Sequence, residues 1–146
     1  MQMTKMTHLK ITVDDQPDAK DIHTVISHLV EYNNSQTQPD VNKPLAIWVR
    51  DTDSTIVAGL IGKTNWEWLY ISHLWVSETL RGQGYGSKMI LEAEKVAKQR
   101  GCGHAYLDTF SFQALGFYQR LGYQIFGVLE DFPPGHQRYF LSKKLL

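Results

Sequence analysis

The chain has a single cysteine, Cys102, in 146 residues, so no intramolecular disulfide can cross-link it. Cys102 follows Gly101 at an expected helix end with no matched base beside it, and reads as a small buried residue. No apolar run approaches the roughly 18 residues of a membrane span, and residues 1–7 are polar. A soluble, cytoplasmic protein with no membrane partner is expected. Charge of one sign is also missing: fifteen basic residues balance fifteen acidic ones, so no long-range field gathers nucleic acid onto the surface. The six histidines occur singly, with no HExxH and no cysteine at ligand spacing, so a catalytic metal has little support.

What is present suits an ordinary globular fold. With 42% hydrophobic and 21% charged residues, the chain has neither a disordered nor a fibrous bias, and its length suits one domain, residues 1–146, with a core that needs no disulfide.

Residues 9–13 alternate as a short strand, and Ile22, Val25, Ile26, Leu29 and Val30 then recur at helical spacing. Asp18 is placed to cap that helix, and Asn33, Asn34 and Ser35 to stop it. A polar, proline-bounded loop over residues 36–44 leads to strands at 45–50, 55–61 and 68–76, separated by turn residues at 51–54 and 63–65. After Val76 the period changes, with Met89, Ile90, Ala93, Val96 and Ala97 forming a helical stripe that ends at Gly101. A strand at 104–109, a short helix at 112–121 and two strands at 124–129 and 137–141, paired across Pro133, Pro134 and Gly135, complete the order. The fold class is α+β: a mixed, mostly antiparallel sheet of six to seven strands with helices on its faces.

The chemistry concentrates where the third strand of that meander runs into Arg81-Gly82-Gln83-Gly84-Tyr85-Gly86-Ser87 and then a helix. Glycines let successive backbone N–H groups converge, and the helix N-terminus adds its positive dipole end, which makes a pyrophosphate cradle. Arg81 adds a charge there or merely covers the turn. A dinucleotide GxGxxG would need glycine where Ser87 stands, and a P-loop lacks both its second glycine and the Ser/Thr after Lys88. Standing alone, the turn could equally be a tight turn without a ligand.

It does not stand alone. Arg81-Gly82-Gln83-Gly84-Tyr85-Gly86 resembles the [QR]xxGx[GA] acetyl-CoA motif of the GNAT N-acetyltransferase family, and Phe117-Tyr118-Gln119-Arg120-Leu121-Gly122-Tyr123, about thirty residues later, resembles the family's LYxxLGF-like second signature. The resemblance covers roughly residues 45–146. It implies a splayed central pair of strands, acetyl-CoA as cosubstrate, and a backbone of Leu74, Trp75 and Val76 that bonds the pantetheine arm. A backbone N–H of that strand can polarise the thioester carbonyl, and Leu74 is the candidate donor. Tyr118 matches the tyrosine that protonates the departing CoA thiolate, and Phe117 lies beside it. Where the family often has asparagine seven residues before that tyrosine, this chain has Ser111.

An amine acceptor must lose a proton before it attacks a thioester, so a base is needed. Glu67, between Trp66 and Trp68, and His73, on the strand leading to the cradle, are candidates, alongside Asp108, Glu130 and His136. Each has a plain alternative: Glu67 as surface charge, His73 facing the opposite side of its strand, Tyr118 as a core aromatic. The implied function is acetyl transfer from acetyl-CoA to a primary amine of a small molecule. A protein or peptide acceptor and a non-catalytic CoA-binding sensor are the competing readings. A homodimer through the C-terminal strands is compatible with all three.

Overall fold

The computed structural model describes residues 8–146; the polar residues 1–7 lie outside the described residues. The chain divides into two compact units, Met1–Pro39 and Asp40–Leu146. In the first, α1 spans Ala19–Gln36 and begins at Asp18, whose carboxylate accepts the Lys20 N–H at 2.9 Å. It runs through Asn33, Asn34 and Ser35 rather than stopping there. The Ser35 hydroxyl donates to the Tyr32 carbonyl at 2.6 Å, and the Asn33 carbonyl accepts from Thr37 N–H at the helix end. The strand expected at residues 9–13 does not form. No described strand pairs with it, and an isolated strand leaves its N–H and C=O groups without partners.

The second unit is a six-stranded sheet with the order β1-β2-β3-β4-β6-β5. Its strands are β1 (Lys43–Arg50), β2 (Ile56–Asn65), β3 (Trp68–Val76), β4 (His104–Phe110), β5 (Gln124–Glu130) and β6 (Gln137–Lys144). All neighbouring pairs are antiparallel except β3 with β4, which α2 (Tyr85–Gln99) connects as a crossover. The second strand runs past its expected end at Ile61 because the turn is tighter than expected. Trp66 and Glu67 both adopt positive φ, 45° and 64°, the signature of a two-residue type I′ hairpin, and the ladder reaches Asn65↔Trp68.

Alternation places Leu45, Ala58, Leu60, Leu69, Ile71, Ala105, Leu107 and Leu141 in one buried cluster with Met89, Ile90, Ala93 and Ala97 of α2. Cys102 is buried in the same cluster, and the α2 stripe and its Gly101 stop, φ 86°, stand where the periodicity placed them. One charge is buried there too. The Glu94 carboxylate accepts from the Tyr123 hydroxyl at 2.8 Å and from the Lys143 ammonium at 2.9 Å. The final helix, α3, is shorter than expected, Leu115–Arg120. The Gln113 side-chain carbonyl accepts from Phe110 N–H at 2.9 Å and from the Thr109 hydroxyl at 3.3 Å, which holds the preceding residues as a turn.

Candidate active site

β3 and β4 pair only from Trp68↔His104 to Ile71↔Leu107, and beyond that point the two strands are not bonded to each other. The divergence begins at a bulge. Ile61 pairs with His73 and Gly62 with Ile71, so Ser72 is the extra residue, and its hydroxyl bonds the Ile61 carbonyl at 3.1 Å. Gly62 is required at this crossing, since a Cβ there would come within 2.4 Å of the Tyr70 carbonyl oxygen. The opened strands form the walls of a cleft of about 900 Å³.

Glycine chemistry builds one end of the cleft. Gly82 and Gly84 take φ of 78° and 86°, and a Cβ on either would meet nothing within 4 Å, so the turn presents bare backbone to open space. Gly84 is the N-cap of α2 and has no side chain to offer the first-turn N–H groups, which an external anion can therefore occupy. No acid stands in that first turn to oppose an anion. Arg81 is folded back, its Nε donating to the Val76 carbonyl at 3.1 Å, so it ties the end of β3 to the turn while lining the cleft.

Tyr118 of α3 lines the same cleft and is only 8% exposed. No described group bonds its hydroxyl, yet that hydroxyl is not among the fully buried unpaired atoms, so the phenol end opens into the cleft. Burial first, and the Asp108 charge second, push its pKa up to about 12. It is a protonated donor at any ordinary pH.

Of the residues expected to hold a cofactor, the structure brings together Leu74, Trp75, Val76, Arg81, Gly82, Gly84, Tyr85, Gly86, Ser87, Phe117 and Tyr118 around the cleft, and His73 with them. Gln83 and Ser111 do not line it. Gln83 donates back to the Thr79 carbonyl, and the Ser111 hydroxyl accepts Gln137 N–H and contacts His136 Nδ1 at 3.3 Å. Glu67 sits in the β2–β3 turn, among residues outside the cleft lining, with its carbonyl accepting Gly103 N–H. His73 is exposed and its Nδ1 lies 2.9 Å from the Ser72 hydroxyl. Sequence reading missed Thr109, Gln113 and Arg120 in the lining, and missed that Arg138 holds Asp108, its Nε 2.8 Å from the carboxylate. Thirty residues separate that pair, and only the β4–β6 register brings them together.

Comparison with known proteins agrees with this geometry. The profile of the Acetyltransferase (GNAT) family matches residues 11–123. An acetyltransferase of Agrobacterium fabrum is 34% identical over 136 residues, covering 93% of this chain and 99% of the relative. Blasticidin-S acetyltransferase of Streptomyces morookaense is 42% identical over 91 residues, 62% of this chain and 67% of that protein. The crystal structure of an acetyltransferase from Bacillus cereus superposes with a TM-score of 0.84 at 32% identity, covering 96% of this chain and 99% of the other.

Proposed function

The chain belongs to the acetyltransferase (GNAT) family and is an N-acetyltransferase, and from that premise we propose that it moves an acetyl group from acetyl-CoA to the primary amine of a small molecule by direct attack. The observation that carries the reading is the meeting of three features in one cleft: the bare glycine turn, the unpaired edge of β3 and the open phenol of Tyr118. The turn and the α2 N-terminus suit the pyrophosphate of acetyl-CoA. The β3 edge at Leu74, Trp75 and Val76, free of β4, suits an extended pantetheine arm that pairs as an added strand. Leu74 is the proposed oxyanion donor.

In this scheme the acceptor nitrogen, once deprotonated, attacks the thioester carbon, and the C–S bond breaks as the C–N bond forms. Tyr118 gives its proton to the departing thiolate, a role that its raised pKa suits because the acid form is the populated one. His73, exposed on the cleft wall, is the proposed base, acting directly or through water. Glu67 is the weaker candidate, since it does not line the cleft. The blasticidin-S relative supports a small-molecule acceptor over a peptide. The family match runs across both compact units, which supports treating residues 1–146 as one N-acetyltransferase domain.

Thiol release from acetyl-CoA across a panel of amines, amino acids, antibiotics and peptides tests the scheme. Release that requires a small amine and falls sharply in Tyr118→Phe is the expected result. Tight CoA binding with no release across the panel would overturn it in favour of a sensor.

A further inference from the structure

Among the described residues the cleft lining contains one carboxylate, Asp108, and the proposed transfer scheme gives it no part. Topology fixes its place. Leu107 is the last β4 residue paired with β3, so Asp108 is the first to stand where the strands have parted. Its side chain is only 15% exposed, and Oδ1 accepts the Arg138 Nε at 2.8 Å. Arginine commonly grips a carboxylate with both arms of its fork. Here the contact is single, and no described protein group bonds Oδ2.

Arg138 also lies among aromatic rings. Its guanidinium lies 5.4, 4.9 and 5.1 Å from the ring centres of Phe110, Phe132 and Phe140, a cage drawn from β4, β6 and the loop between β5 and β6. The rings continue toward the cleft. Phe112, exposed and part of the lining, stacks parallel on Phe110 with centroids 5.4 Å apart. An exposed ring therefore stands in the lining with Asp108, met edge-on by the His136 ring with centroids 5.1 Å apart, while the carboxylate itself keeps one unused acceptor oxygen.

We propose that Asp108 seats the acceptor, with Oδ2 receiving its ammonium group. Arg138 is a positioning residue that holds Oδ1 still, and Phe112 takes the body of the substrate against its ring. The acceptor class that fits is a small primary amine carried on an aromatic or heteroaromatic body. A polyhydroxylated amine would lose hydration where it lies against the Phe112 ring, and a short aliphatic amine would leave the ring uncovered. This deepens the N-acetyltransfer reading and rests on it.

The test compares 2-phenylethylamine, butylamine and glucosamine as acceptors by thiol release, with wild type, Asp108→Asn, Arg138→Lys and Phe112→Ala, each first shown to bind acetyl-CoA by calorimetry as proof of folding. Wild type is expected to prefer 2-phenylethylamine by about ten-fold in kcat/KM. Asp108→Asn should raise the acceptor KM by roughly ten- to a hundred-fold, the scale of a lost charge-assisted bond, with a smaller change in kcat and unchanged acetyl-CoA affinity. Arg138→Lys should fall between, because lysine keeps the charge but not the ring-stacked plane. Phe112→Ala should remove the preference between phenylethylamine and butylamine. An unchanged KM in Asp108→Asn, or equal use of the three amines by wild type, overturns the proposal. If wild type releases no thiol with these three amines or with the wider panel of amines, amino acids, antibiotics and peptides, the transfer reading fails, and binding of 2-phenylethylammonium followed by ligand NMR decides the seat alone: binding that Asp108→Asn abolishes upholds it, and no binding, or equal binding, overturns it.

Discussion

Replacing Tyr118 by phenylalanine deletes one oxygen that no described group bonds, at a residue whose ring is packed in the core cluster. The two consequences separate cleanly. Stability should change by less than about 0.5 kcal/mol, since the ring stays and no hydrogen bond is lost, and the melting temperature should move by no more than about 2 °C. Turnover should fall by roughly 10²- to 10⁴-fold, the range of a general acid, equal to about 2.7–5.4 kcal/mol at 1.36 kcal/mol per decade. The pH behaviour follows from the same hydroxyl. With its pKa pushed up to about 12, Tyr118 stays protonated through pH 10, so the turnover profile should carry no alkaline fall below that pH from this group. The linked stability has a definite sign. The folded pKa lies above the ordinary value of 10.0, so the contribution is fully present below pH 10 and is lost as pH rises through 12. At two units this is on the order of 2.7 kcal/mol. Wild type should therefore lose stability relative to Tyr118→Phe between pH 10 and 12, measured by urea unfolding. Full turnover in the variant, or a turnover loss matched by a large fall in melting temperature, refutes the assignment.

Gly84→Ala forces a side chain to φ 86° at the α2 N-cap, which costs about 1–2 kcal/mol, and its methyl protrudes into the cradle; acetyl-CoA affinity by calorimetry should weaken about ten-fold or more. Gly101→Ala, also at φ 86° with open space around its Cβ, is the control, and should lose similar stability without losing affinity. Glu94→Gln removes the charge between Lys143 and Tyr123 and, with Glu94 buried and Lys143 partly exposed, should destabilise by about 2–3 kcal/mol in urea titration, the low side of a broken buried pair; a midpoint unchanged from wild type would show that the pair is dispensable.

How much of this was legible in the sequence depended on how local each feature is. The glycine turn lies in seven consecutive residues, two of which, Gly82 and Gly84, take the positive φ that glycine favours, and the α2 stripe needs only a 3.6-residue period, so the turn and the stripe stand where the pattern placed them. The splay of β3 from β4 was accessible only through family resemblance, because it arises from a bulge at Ser72 and from where the parallel ladder stops. Residues 9–13 misled for the converse reason: alternation reports that a segment could pair, not that a partner stands beside it. The position of Glu67 turned on two residues of positive φ, and neither Trp66 nor Glu67 is of the asparagine or glycine type that announces such a turn. The proposed acceptor side was the least visible. Asp108 and Arg138 meet only because β6 inserts between β4 and β5, and the ring cage draws on Phe110, Phe132 and Phe140 from three segments. In the proposed scheme cofactor recognition uses backbone and glycine, which a short motif can encode, whereas acceptor recognition uses side chains gathered by topology. That difference explains why one half of the reaction reads from the sequence and the other half requires the fold.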